Sequence, residues 1–160
     1  MRVVSDTSPL SYLILIGRTD LAAELFGQVV IPSEVRDELS SPAAPAAIRD
    51  WVSKLPTWLS VERVPDRPPP HVEEPDLGRL HAGERAAILL AERTGADLLL
   101  IDEKAARSVA EKRGLRVTGL LGVVRAGADQ GLIDLAEAVD ALRRSGFRAS
   151  RALLERLLGG

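Results

Sequence analysis

Four acidic residues, Asp6, Glu38, Glu84 and Asp102, stand in settings that their local segments do not fully explain. Asp6 directly follows the apolar start of "VVSDTSPL", and Ser8 with Pro9 already supplies the N-cap and first-turn signature of the helix expected next. That leaves Asp6 without a capping task. Asp102 closes "ADLLLID", and because "EKAAR" follows at once, a helix N-cap is its competing explanation. Glu38, in "SEVRDELS", falls at the edge of the apolar face marked by Val35 and Leu39, whereas Asp37 points outward. It also sits near a helix C-terminus, where the macrodipole opposes a negative charge, and an ordinary surface glutamate is the other reading. Glu84 opens "GERAAILLAERTG" on the side of Ala87, Ile88 and Ala91, at a helix start where an acid is favoured in any case.

Taken together, two strand-end and two helix-borne carboxylates are able to converge on one cleft. Two carboxylates about 4 Å apart repel by on the order of 4 kcal/mol at an effective dielectric of 20, so such a cluster requires a cation or a shared proton. The chain has no cysteine and only two histidines, His71 and His81, which leaves oxygen or imidazole ligands and favours Mg²⁺ or Mn²⁺. A hydrated divalent ion in an acidic pocket neutralises phosphate charge and lowers the pKa of an attacking water. A second ion about 3.5–4 Å away stabilises the leaving oxygen. The chemistry suggested is phosphodiester hydrolysis.

Elements able to position these acids alternate along the chain. Extended segments are expected at residues 2–5, "VVIP", "LSVERV", "ADLLLID" and "LRVTG". The unbroken run Leu98 to Ile101 suits a strand buried on both faces at the centre of the sheet. Helices are expected after Ser8, in "DLAAELF", in "SEVRDELS" capped by Ser33, in "APAAIRDWVSKL", before Gly95 and before Gly114. The remainder, "LLGVVRAGADQG", "LIDLAEAVDALRRSG" and "SRALLERLLGG", reads as mostly helical. The pattern predicts a three-layer α/β domain with a mainly parallel sheet of about five strands, and a helical C-terminal extension. Asp6 and Asp102 then lie at the carboxyl edge of the sheet, where ligands bind in such folds. "PDRPPPHVEEPD" can join neither a strand nor a helix interior and is expected as a long loop, either a gate or a polar connector.

A chain of 160 residues, 46% apolar and 28% charged, fits one ordinary globular domain without a spanning segment. The absence of a signal-like start after Met1 leads to the expectation of a cytoplasmic protein with no membrane role. A net charge of −2 offers no bulk attraction to nucleic acid, so RNA would have to meet a local patch. Eighteen of the 21 bases are arginine, which suits phosphate recognition and equally reflects a GC-rich coding sequence.

"VVSDTSPL", "IPSEVRDEL", "HAGERAAILLAE" and "DLLLIDEKAAR" followed by "GLRVTGLLGVV" run in one order over roughly residues 2 to 125. In this the chain resembles the PIN-domain ribonucleases, and more closely the VapC-type toxins of prokaryotic toxin–antitoxin pairs. The resemblance implies a PIN-like nuclease domain over 1–130, a helical extension over 131–160 packed on it, and the strand order 3-2-1-4-5. It places Asp6, Glu38, Glu84 and Asp102 at the family's four acid positions, as catalytic residues and as ligands of Mg²⁺ or Mn²⁺. It further implies an endoribonuclease whose metal-activated water leaves 5′-phosphate and 3′-hydroxyl ends, a small antitoxin partner and a homodimer. Many relatives have aspartate at the position of Glu84, and Thr or Ser at that of Leu100.

Thr7 and Ser8 are candidates to orient Asp6 or a water, Glu103 to supplement the metal shell, and Arg107 to meet RNA phosphate, each against a local capping or surface role. Arg36, Arg79 and Arg85 are similar candidates, and His81 is either a ligand or a solvent-facing histidine. A histidine-driven ribonuclease lacks a suitable pair, since His71 sits in the proline-rich segment. An aspartyl-phosphate enzyme would want an acid where Ser8 stands, and "GLLGVVRAG" misses the dinucleotide fingerprint. A catalytically silent RNA- or protein-binding module of the same fold remains the rival reading. Leu153, Leu154, Leu157 and Leu158 form a stripe for packing or for a partner, and Trp51 and Trp58 suit either core or stacking roles.

Overall fold

The computed structural model describes residues 1–65 and 76–147 together with Leu154, Leu157 and Leu158. Most of the proline-rich segment with His71, and most of the last leucine-rich segment with Leu153, lie outside the described residues. The strands are β1 (Val3–Ser5), β2 (Val29–Pro32), β3 (Leu59–Glu62), β4 (Leu98–Leu100) and β5 (Val117–Thr118). They form one sheet in the order β3-β2-β1-β4-β5, and every pairing is parallel. This is the expected α/β fold and strand order. The centre, however, is β1 rather than the Leu98–Ile101 strand, which lies beside it. Both are buried, so an unbroken apolar run alone could not rank them.

Alternating side chains of the inner strands feed two cores. Val3, Val29, Ile31 and Leu100 enter one core, with α1 (Thr7–Leu15), α2 (Asp20–Phe26), α3 (Ser33–Leu39), α4 (Ala46–Val52) and α7 (Leu120–Asp129). Val4, Val30, Leu99 and Ile101 enter the other, under α5 (Ala82–Thr94) and α6 (Lys104–Lys112). Beyond α7, Ala138 and Leu142 of α8 (Leu135–Arg144) join the first core. Gly127 permits α7 to press on α2, since a Cβ there would lie 2.9 Å from Leu21 Cδ2. Trp51 and Trp58 pack against this same core, with ring centroids 6.0 Å apart.

Helix starts differ from expectation in a way that matters for the site. Helix α1 begins at Thr7, so Asp6 and not Ser8 occupies the N-cap position, yet its side chain makes no capping bond. Likewise Ser33 is the first residue of α3 and Pro32 its N-cap. Proline is tolerated anywhere in the first turn, so Pro9 does not fix the helix start to the residue.

Truncating Leu99 tests the two-sided burial of β4. Leu99→Ala should lower unfolding free energy by about 2–5 kcal/mol in urea melts. A loss well under 1 kcal/mol would mean that this strand is not core.

Candidate active site

The sheet reverses its winding between β1 and β4, and the crevice at the carboxyl ends of those strands is where the acids meet. Asp6 N–H donates to Leu100 O at 2.9 Å, which ties the end of β1 to β4. Asp6 follows β1 immediately and Asp102 stands two residues past β4. Glu38 reaches in from the last turn of α3 and Glu84 from the first turn of α5. All four line one cleft of ≈ 900 Å³. No two of them lie on opposite sides of the molecule.

Three of the four are held by protein donors. Asp102 Oδ1 accepts from Leu120 N–H at 2.7 Å, so Asp102 caps α7 from a distant part of the chain. The local alternative, capping of α6, does not apply, because Glu103 is the N-cap of that helix and makes no side-chain cap. Glu84 Oε1 accepts from the backbone N–H of His81 at 3.0 Å, closing the first turn of α5. Glu38 accepts the Thr7 hydroxyl across the cleft. Asp6 remains buried at 5% exposure with no capping bond, and Asp102 Oδ2 is buried with no hydrogen-bond partner.

These surroundings shift the titration of the two strand-end acids. Burial raises the Asp6 carboxyl to about 7; the Thr7 backbone N–H opposes this, and the charges of Glu84, Glu38 and Asp102 add to it. Burial also raises Asp102, against the Leu120 N–H, the Ser8 hydroxyl and the positive charge of Arg107. Buried carboxylates that repel one another, with an orphaned oxygen among them, are a donor set suited to a hard cation. Among the described residues, no three His, Asp or Glu side chains stand close enough to enclose an ion as they are.

Of the supporting candidates, Thr7, Ser8, Glu103 and Arg107 all line the cleft. Arg36, Arg79 and Arg85 do not, whereas His81 reaches its exposed edge. Two glycines escaped sequence reasoning. A Cβ on Gly83 would lie 3.1 Å from Glu38 Oε1, and one on Gly119 2.6 Å from Asp102 Oδ1 and 3.2 Å from an Arg107 guanidinium nitrogen. Gly119 has φ −103°, open to any residue, so space and not backbone freedom demands glycine there. The available signal was its bare N-cap position, where Ser, Thr, Asp or Asn would serve better if no carboxylate came from elsewhere.

A doubly wound parallel sheet of order 3-2-1-4-5 with an acid-lined crevice at its switch point defines the class of protein. Within it, the PIN domain model matches residues 2–159, and the chain belongs to the PIN domain family. PIN domains are typically nucleases and generally bind divalent metals. No curated protein and no solved structure matches the chain. Among the described residues no helix is long and apolar enough to cross a membrane.

The Asp6 shift has a stability consequence. Folded Asp6 keeps its proton to about pH 7, whereas the ordinary value is 3.8, so its contribution to stability is full below about pH 3.8 and is lost as pH rises to about 7. The loss is at most about 4 kcal/mol. In urea melts with EDTA at pH 4 and pH 8, Asp6→Asn should lose less stability over that interval than wild type. An equal loss in both proteins would refute the raised titration of the buried Asp6 carboxyl.

Proposed function

We propose that this PIN domain is a metal-dependent endoribonuclease, and that it serves as the toxin of a toxin–antitoxin pair, inhibited by a small antitoxin and acting as a homodimer. One observation carries the nuclease reading: four carboxylates from four separate elements face a single cleft at the switch point of the sheet. Local capping accounts for part of what Glu84 and Asp102 do, but for neither the burial of Asp6 nor the free Asp102 Oδ2.

In this reading Asp6, Glu38, Glu84 and Asp102 hold Mg²⁺ or Mn²⁺ through oxygen ligands. Such an ion, when bound, supplies neutralisation of phosphate charge and a water of lowered pKa. The remaining roles fall to the chain itself. Thr7 orients the Glu38 carboxylate through its hydroxyl, and Ser8 lines the same cleft. Arg107, against the same cleft wall as Asp102, meets a non-bridging phosphate oxygen. Glu103 lines the cleft beside Asp102 and supplements the ligand set. Water attack on phosphorus forms one P–O bond and breaks the bond to O3′, which takes up a proton and leaves as the 3′-hydroxyl opposite a 5′-phosphate end.

A defined RNA should be cut by wild type with Mn²⁺ or Mg²⁺ and not with EDTA. Asp6→Asn and Glu84→Gln should each reduce the rate by about 100-fold or more, beyond the effect usual for outer-shell groups. In the host, wild type should arrest growth and Asp6→Asn should not. RNA binding without cleavage, indifferent to EDTA, would instead make the chain a silent binding module.

A further inference from the structure

Helix α1 presents two distinct faces. Pro9, Leu10, Leu13 and Ile14 are buried in the core, whereas Ser8, Ser11, Tyr12 and Leu15 line the acidic cleft. Spacings of three and four residues set those four in one stripe, from hydroxyl groups near the carboxylates to apolar groups farther along. Tyr12 lies six residues past Asp6, about 9 Å along the helix axis at 1.5 Å per residue. There it meets Phe147 edge to face, with centroids 5.0 Å apart and planes at 80°. Ile48 and Leu121 line the same cavity. Both rings are half-buried, packed against the first core while also lining the cleft, and Leu15 is 36% exposed.

We propose that the aromatic end of the cleft, formed by Tyr12 and Phe147, stacks the base of an unpaired nucleotide adjacent to the phosphodiester presented to the carboxylates. This rests on the nuclease reading of the same cleft. A nucleotide joins an anionic phosphate to a flat apolar base over a distance comparable to the separation of Asp6 from Tyr12. The cleft supplies both environments in one continuous cavity. A base inside a duplex has both faces covered by its neighbours, so only a loop, bulge or single strand can offer one to Tyr12. Stacking on an aromatic ring tolerates any base, so this wall holds the nucleotide beside the cut and does not select it.

The test uses short unpaired RNAs carrying 2-aminopurine or an abasic residue at successive positions, bound to full-length Asp6→Asn protein. Stacking should quench 2-aminopurine at one position, and an abasic residue there should weaken binding by about 10- to 100-fold. Tyr12→Ala in the Asp6→Asn background should abolish the quench, and Tyr12→Phe should retain it. The abasic series alters only the RNA, so it decides the matter even if Tyr12→Ala misfolds. Equal affinity for every abasic RNA with no quench at any position would overturn the proposal. So would an apolar peptide that binds at Tyr12 where RNA does not, which would assign this wall to a protein partner. Strand scission by wild type with Mn²⁺ is measured in parallel. Stacking without scission would sink the nuclease reading and leave the base site standing, and scission without stacking would do the reverse.

Discussion

Burial of the Asp6 carboxyl at the end of the central strand, with three further acids lining the same cleft, is the constraint around which the site is arranged. Desolvation alone makes the ionisation of Asp6 unfavourable, and three further acids facing the same space make it more so. A soft scaffold would relax by splaying them into water. Here the two strand-end acids emerge from β1 and β4, paired in parallel and buried on both faces, and Asp6 is anchored through its backbone to Leu100. The double core thus fixes where the two strand-end acids emerge.

Backbone groups share the work of holding the acids. Asp102 closes the start of α7, and Glu84 closes the start of α5, so each carboxylate stabilises a helix while standing in the cleft. Helix N-termini suit anions for the same reason that they need caps: their N–H groups are unpaired and carry partial positive charge. Gly119 leaves room for Asp102 at the start of α7, and Gly83 leaves room for Glu38 beside α5. Structural capping and cleft formation are thus two uses of the same oxygens, not rival explanations of them.

The cleft is also uneven along its length. Its carboxylates and Arg107 gather at the carboxyl edge of the sheet, while the far side of α1 brings aromatic and aliphatic groups to the same cavity. A chain with net charge −2 is thereby able to present one cationic side chain and one apolar wall locally, without any overall basic character. A charge count averages over the whole surface, and a cleft does not.

Sequence alone determined the elements and their type: the apolar strands, the alternation with helices and the four acids at element ends. These follow from period and composition, which act over a few residues and survive in any context. Resemblance supplied the strand order and the pairing of β1 with β4, which no local signal specifies. Tertiary structure alone decided that Asp102 caps α7 and not α6, and that Asp6 occupies a cap position without capping. It also brought Tyr12 to Phe147, and Gly119 to Asp102, from distant parts of the chain. Contacts of that kind depend on how the layers close over the sheet, and residues far apart in the chain carry no mark of it until the backbone brings them together.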